Sequence, residues 1–154
     1  MTKHFFRMMH TRHLFQCFIV MAFAWAAFAH AEPTLLEPDQ AFQVKVQQRH
    51  NDDVTAHFTI ADNYYLYRDR MRIAVKDSPG VVIQSVRFPA GIMKQDPNFG
   101  RMEIYKNGVV VNIVLKRPAG TQKVTLVTDY QGCEEKTGVC YPPMQKAHTL
   151  TLKN

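Results

Sequence analysis

The chain has 154 residues, of which 46% are apolar, 21% charged and 11% aromatic. This is a globular composition with room for one ordinary domain, and it excludes a disordered or collagen-like chain. Three cysteines exclude a dense disulfide scaffold and a four-cysteine zinc or iron–sulfur site built from one copy; the formal charge of +6 points to nucleic acid only until its location is read.

Half of that excess charge lies in the first thirty-one residues. Lys3, Arg7 and Arg12 form a basic start with no acid, residues 14–29 are apolar except for Gln16, and Ala29-His30-Ala31 closes the run before Glu32 and Pro33. Basic start, apolar middle and A-x-A end are the three parts of a secretory signal peptide, which predicts a cleaved leader over 1–31 and a mature chain over 32–154. A retained anchor is the alternative, but the run is short for a span and no cationic stop follows it. Without residues 1–31 the net charge is +3 and no basic cluster remains, so a nucleic-acid partner loses its support. Arg68, Arg70 and Arg72 alternate as on one solvated strand face. Cys17 leaves with the leader. The exported chain, with no membrane span of its own, keeps Cys133 and Cys140 in a compartment where disulfides persist.

Along the mature chain the apolar pattern has period two. Residues 32–40 read as a lead-in segment laid on the core by Leu35 and Leu36. Strands are predicted over 42–46, 54–60, 64–67, 71–75, 81–88, 124–130 and 148–152, with 109–115 as a strand buried on both faces. In 64–67, Tyr64 and Leu66 point one way and Tyr65 and Tyr67 the other, one pair to the core and one outward. Asp62-Asn63, Ser78-Pro79-Gly80, Asn107-Gly108 and Pro118-Ala119-Gly120 separate the runs, and Asn107-Gly108 is a hairpin signal. Seven to nine short strands with no helices between them predict an all-β antiparallel sandwich or barrel from about residue 37 to 153.

The segment Tyr130-Gln-Gly-Cys133-Glu-Glu-Lys-Thr-Gly-Val-Cys140-Tyr-Pro-Pro143 joins the last two strands. Two cysteines in such a loop can meet across its neck. As a structural clip, an eight-residue ring is worth about 2.5 kcal/mol by chain entropy. As a redox pair, its spacing is not C-x-x-C, and no helix follows to stabilise a thiolate. Spacing alone leaves both readings open.

The residues around the pair carry more. Tyr-Gln-Gly-Cys, Cys-Tyr-Pro-Pro, the upstream Tyr64-Tyr-Leu-Tyr-Arg68, and Asp96-Pro-Asn-Phe-Gly100 followed by Glu103-Ile-Tyr105 resemble, in order, the N-terminal periplasmic domain of the transmembrane thiol-disulfide reductase DsbD. The resemblance implies an immunoglobulin-like β-sandwich and a protein-disulfide reductase type of activity in the periplasm, with no cofactor and no metal. Electrons would arrive from a thioredoxin-like domain such as the DsbD C-terminal domain. They would leave to thioredoxin-fold acceptors such as DsbC or a cytochrome-maturation thioredoxin. By position, Cys140 forms mixed disulfides with partners and Cys133 resolves them. Asp96, Phe99 and Gly100 belong to a cap over the pair, with Phe99 as an apolar plate on the sulfur, and Tyr65 and Tyr67 form a wall beside it. The protein is expected to be a monomer.

Two departures stand out. Six residues separate these cysteines where familiar members have five, and Asn98 stands beside Phe99 where they carry adjacent aromatics. The chain stops at Asn154 without the membrane and C-terminal domains of DsbD, as a stand-alone relative or a fragment would. Glu134 and Glu135, beside Cys133, are expected either to disfavour its thiolate or to be ordinary solvated loop charges, and Asp96 likewise. His50, His57 and His148 are scattered, each a surface or satisfied core histidine. Two other classes stay open: a Cu(I) site of Met93, Met102, Met144 and the cysteines, since soft ligands select that ion, and an immunoglobulin-like binding module with a structural disulfide.

Overall fold

The computed structural model describes residues 35–153. The leader read over 1–31, Cys17 within it, and the start of the lead-in segment lie outside the described residues. A single helical turn, α1 (Pro38–Ala41), leads into eleven strands: β1 (Phe42–His50), β2 (Asp53–Ile60), β3 (Tyr64–Tyr67), β4 (Arg72–Lys76), β5 (Val82–Arg87), β6 (Ile92–Asp96), β7 (Gly100–Tyr105), β8 (Gly108–Lys116), β9 (Lys123–Tyr130), β10 (Gly132–Glu134) and β11 (Met144–Thr151). All pairings are antiparallel. They build three sheets, ordered β1-β2-β8-β5, β11-β9-β4 and β10-β3-β7-β6.

The first two sheets share one core. Val54, Ala56 and Phe58 of β2 and Val109, Val111, Ile113 and Leu115 of β8 are buried in one cluster with Val124, Leu126 and Tyr130 of β9. Alternation puts these side chains on one face of each sheet, so the two faces must be buried against each other. Phe42, Phe58, Tyr64, Tyr130 and Tyr141 close the end of the sandwich nearest the cysteines, with edge-to-face contacts at centroid distances from 5.5 to 6.5 Å. The result is the predicted all-β antiparallel fold.

Three local expectations are corrected, and one hairpin is not legible in the sequence. Residues 109–115 are not buried on both faces: Val110 and Asn112 face solvent, so β8 is a one-sided strand. Asn107-Gly108 makes no hairpin, because β7 pairs with β3 and β6 whereas β8 pairs with β2 and β5; the turn carries the chain from one sheet to another. Arg68 and Arg70 lie in a 3₁₀ turn, and only Arg72 begins a strand, so the three are not one strand face. Residues 92–96 and 100–105 form a hairpin that apolar alternation did not reveal, because β6 exposes Ile92 and Met93 and buries Asp96.

That hairpin changes the environment of β3. All four of its residues are buried. Tyr64 and Leu66 join the main core, while Tyr65 and Tyr67 join a second cluster with Ile104 and Cys133, packed by Met102 and Cys140. The face expected to point outward is the floor of the cysteine site. At the hairpin tip Asp96 pairs with Gly100, and φ of +75° at Gly100 supplies the left-handed residue that closes a three-residue turn.

Candidate redox site

Cys133 and Cys140 are joined by a disulfide. They face each other as an antiparallel bridge, flanked by hydrogen bonds from Glu134 N–H to the Val139 carbonyl (2.8 Å) and from Tyr141 N–H to the Gly132 carbonyl (2.9 Å). This is a non-hydrogen-bonded cross-strand pair, the closer of the two antiparallel kinds, and its Cα atoms are 3.9 Å apart. On its other side β10 pairs with β3, placing Cys133 opposite Tyr65. Gly132 allows that approach: a Cβ there would run into the Tyr65 carbonyl and the Phe42 ring.

The two sulfurs are unlike. Cys133 is 0% exposed, whereas Cys140 is half-buried. The Tyr67 oxygen lies 3.1 Å from the Cys133 sulfur and 3.7 Å from that of Cys140. Tyr67 donates its proton to Asp96 Oδ2 at 2.6 Å, and Tyr65 donates to the same oxygen at 2.7 Å. Asp96 Oδ1 accepts from the backbone N–H groups of Asn98 (2.8 Å) and Phe99 (3.1 Å). Asp96 is 2% exposed. Burial pushes its pKa up, but the Tyr67 and Tyr65 hydroxyls and the two N–H groups outweigh this and hold the carboxyl below its ordinary value. Burial, followed by the hydrogen bond to Asp96, raises the Tyr67 phenol strongly. Tyr65 is pushed up to about 12, burial again being the largest cause.

The hairpin tip reaches the cysteines in two ways. Asn98 Nδ2 lies 3.7 Å from the Cys140 sulfur. Phe99, 41% exposed, stands edge-on to Tyr67 at 5.4 Å between centroids, with the Arg70 guanidinium 5.0 Å over its ring. At the tip the Asn98 amide meets the Cys140 sulfur, and the Phe99 ring packs on Tyr67.

The acids of the loop are not solvated charges. Glu134 is 7% exposed and accepts from Thr137 N–H (2.6 Å), Thr137 Oγ1 (2.7 Å) and Lys136 N–H (3.1 Å), which folds the six residues between the cysteines around its carboxylate. Burial raises its pKa, and the Thr137 bonds overcome this and lower it. Glu135 is held low mainly by Lys106, at 2.6 Å, and also by Lys94, at 3.2 Å. Lys94 lies on β6, so this ion pair ties the hairpin to the cysteine loop. Sequence inspection missed Lys94 and Lys106, because nothing local marks a contact across 41 or 29 residues.

The remaining candidates lie elsewhere. Met102 packs on the cysteine cluster, Met144 on the main core, and Met93 is exposed on β6, so the three do not converge as a soft-metal site. His50, His57 and His148 have separate partners in Asp53, Thr55 and Thr128. No helix among the described residues is long and apolar enough to cross a membrane.

Comparison with known proteins agrees with this geometry. Residues 32–152 match the family described as thiol:disulfide interchange protein DsbD, N-terminal. The DsbD 1 protein of Pseudomonas aeruginosa is 43% identical over 108 residues, 70% of this chain and 18% of its own length. The DsbD of Escherichia coli K12 is 34% identical over 113 residues, 73% of this chain and 19% of its own. The chain therefore spans about a fifth of the length of these curated relatives. The reduced N-terminal domain of Neisseria meningitidis DsbD superposes with a TM-score of 0.66 at 32% identity, covering 78% of this chain and 92% of that one. The same domain in complex with the PilB N-terminal domain gives 0.61 at 30% identity, covering 75% and 86%. A disulfide at this place in this fold is consistent with thiol-disulfide exchange, and the chain belongs to the family of the DsbD N-terminal domain.

Proposed function

We propose that the chain relays reducing equivalents between thioredoxin-fold proteins through Cys133 and Cys140, as a protein-disulfide reductase module in the periplasm reached by a cleaved leader. The observation that carries this reading is the asymmetry of the disulfide: one sulfur is buried against Tyr67 and Asp96, the other half-exposed beneath a hairpin tip. The complex of a similar domain with the PilB N-terminal domain supports a protein partner.

In the reducing half-reaction a partner thiolate attacks the reachable Cys140 sulfur. A mixed disulfide forms, and the Cys133–Cys140 bond breaks with its electron pair going to Cys133. The Tyr67 hydroxyl, 3.1 Å away, is placed to turn its proton toward that thiolate while Asp96 keeps its bonds to Tyr65, Asn98 and Phe99. Cys133 then takes a proton from solvent. The partner's second thiolate attacks its own sulfur in the mixed disulfide and releases Cys140, so two electrons have entered the pair. In the second half-reaction Cys140 attacks an acceptor disulfide and Cys133 resolves the mixed disulfide. At rest, a Cys133 thiol can donate to the Tyr67 oxygen while Tyr67 keeps its bond to Asp96, whereas a thiolate draws the Tyr67 proton away from that carboxylate. The buried sulfur is thereby kept protonated.

The donor is expected to resemble the C-terminal domain of DsbD, and the acceptors DsbC or a cytochrome-maturation thioredoxin. Mixing the reduced protein with oxidised acceptors of this kind should oxidise Cys133 and Cys140 within minutes. Absence of exchange with any thioredoxin-fold partner over hours would leave the pair as a structural clip.

A further inference from the structure

We propose that Asn98 is a catalytic hydrogen-bond donor to Cys140, which makes Cys140 rather than Cys133 the thiolate of the reduced pair. The sulfurs are joined and share the Tyr67 oxygen, 3.1 Å from Cys133 and 3.7 Å from Cys140, yet only Cys140 has a side-chain amide donor beside it. Cys133 faces the Tyr67 oxygen, whose proton is engaged by Asp96, and so meets an acceptor. Cys140 lies farther from that oxygen, at 3.7 Å, and 3.9 Å from the Gly138 carbonyl, and it also faces the side-chain amide of Asn98 at 3.7 Å, a donor that Cys133 lacks. The opposite amide orientation would set Oδ1 against the sulfur lone pairs, so the nitrogen belongs there.

The donor is held in place. Asp96 Oδ1 accepts from the Asn98 backbone N–H at 2.8 Å and from that of Phe99 at 3.1 Å, fixing the turn that carries the amide. Phe99 is lodged between Tyr67 and Arg70. Asp96 thus acts on both sulfurs through different intermediaries: through Tyr67 it turns an acceptor on Cys133, and through the turn it presents a donor to Cys140.

The nearby charges do not make this distinction. Asp96, Glu134 and Glu135 are negative, Lys94 and Lys106 neutralise Glu135, and Lys136 lies in the same loop. Arg70 lies over the Phe99 ring at the hairpin tip. The sulfurs are bonded and their Cα atoms are 3.9 Å apart, so the field of each charge falls on both. A hydrogen bond is directional and selects one. Stabilising the Cys140 thiolate serves both half-reactions, because Cys140 attacks the acceptor in one and leaves from the donor in the other.

The proposal rests on the exchange reading, but its test needs no partner. In the full chain carrying Cys17→Ser and Cys133→Ser, Cys140 is the one thiol, and the pH midpoint of its alkylation by iodoacetamide reports its ionisation. Asn98→Leu, similar in size and without a donor, should raise that midpoint, so that the thiolate fraction near neutral pH falls about 3–10-fold. Asn98→Asp keeps the shape, puts a carboxylate at the sulfur and should raise it further; it also serves if the leucine variant does not fold. In the chain carrying Cys17→Ser and Cys140→Ser, Asn98→Leu should leave the Cys133 midpoint in place. A residue that merely covers the sulfur changes the limiting alkylation rate and not the midpoint. An unmoved Cys140 midpoint, or an equal movement at Cys133, overturns the proposal. Either result leaves the partner-exchange experiment standing as a separate question.

Discussion

The Tyr67 hydroxyl lies 3.1 Å from the Cys133 sulfur while giving its proton to a carboxylate buried beside it. The buried sulfur therefore faces oxygen lone pairs rather than a hydrogen, an environment that favours a thiol over a thiolate. Tyr67→Phe removes that oxygen and one of the four donors to Asp96. A hydrogen bond to a charged group is worth about 1.5–3 kcal/mol, and stability should fall by that order in urea titrations. Exchange with a thioredoxin-fold partner should slow about tenfold, because the leaving Cys133 thiolate loses the one hydroxyl within reach that can turn its proton from Asp96 toward it. Unchanged exchange would remove Tyr67 from the chemistry and leave it a packing residue.

Cys133→Ser should accumulate a mixed disulfide through Cys140, because the resolving sulfur is gone and the remaining one is reachable. Cys140→Ser should trap little, since Cys133 is fully buried behind β3 and the hairpin. Mass spectrometry of the adducts distinguishes the two, and equal trapping by both variants would contradict the assigned roles.

Acid stability should depend on Asp96. Its folded pKa lies below the unfolded value of about 3.9, so its contribution is complete above that value and is lost as pH falls through it toward the folded pKa. Asp96→Asn should lower stability near neutral pH and flatten the decline below about pH 4 in denaturant titrations at several pH values. Glu134 and Glu135 are lowered too, so part of the acid limb should survive. An acid limb identical to the parent's would show that the tyrosine pair does not hold the carboxylate ionised.

Phe99→Ala should speed oxidation of the reduced pair by small-molecule disulfides and leave the thermal midpoint nearly unchanged. Phe99 is exposed on one face, and its ring contacts are Tyr67 and Arg70 rather than the main core. Removing it unpins the tip that carries Asn98 over Cys140. A large drop in thermal stability with no change in oxidation rate would mean that the ring is a core residue.

Much of the sandwich is legible in the sequence. The strands around 42–46, 54–60 and 124–130 have period-two patterns because each buries one face in a shared core. The link from β9 to β11 is also readable: the two strands pair from Met144 opposite Tyr130 onward, so the cysteine segment joins adjacent strands, as its position suggested. The motif blocks around Cys133 and Cys140 identified the family before any contact was known.

The chain's own order of residues determined an all-β fold and the pairing candidates Cys133 and Cys140, because strand period, turn chemistry and short motifs are local properties; the cap segment came only with the family resemblance. It did not determine that both faces of β3 are buried, that Asp96 is a carboxylate with four donors, or that the Asn98 amide meets the Cys140 sulfur. Those facts depend on β6 lying beside β7 over the Tyr65–Tyr67 face, which brings together groups about 30 residues apart. A buried carboxylate is favourable only once all its donors are assembled. Its role therefore exists only in the folded site, and the same aspartate read in the sequence was indistinguishable from a loop charge.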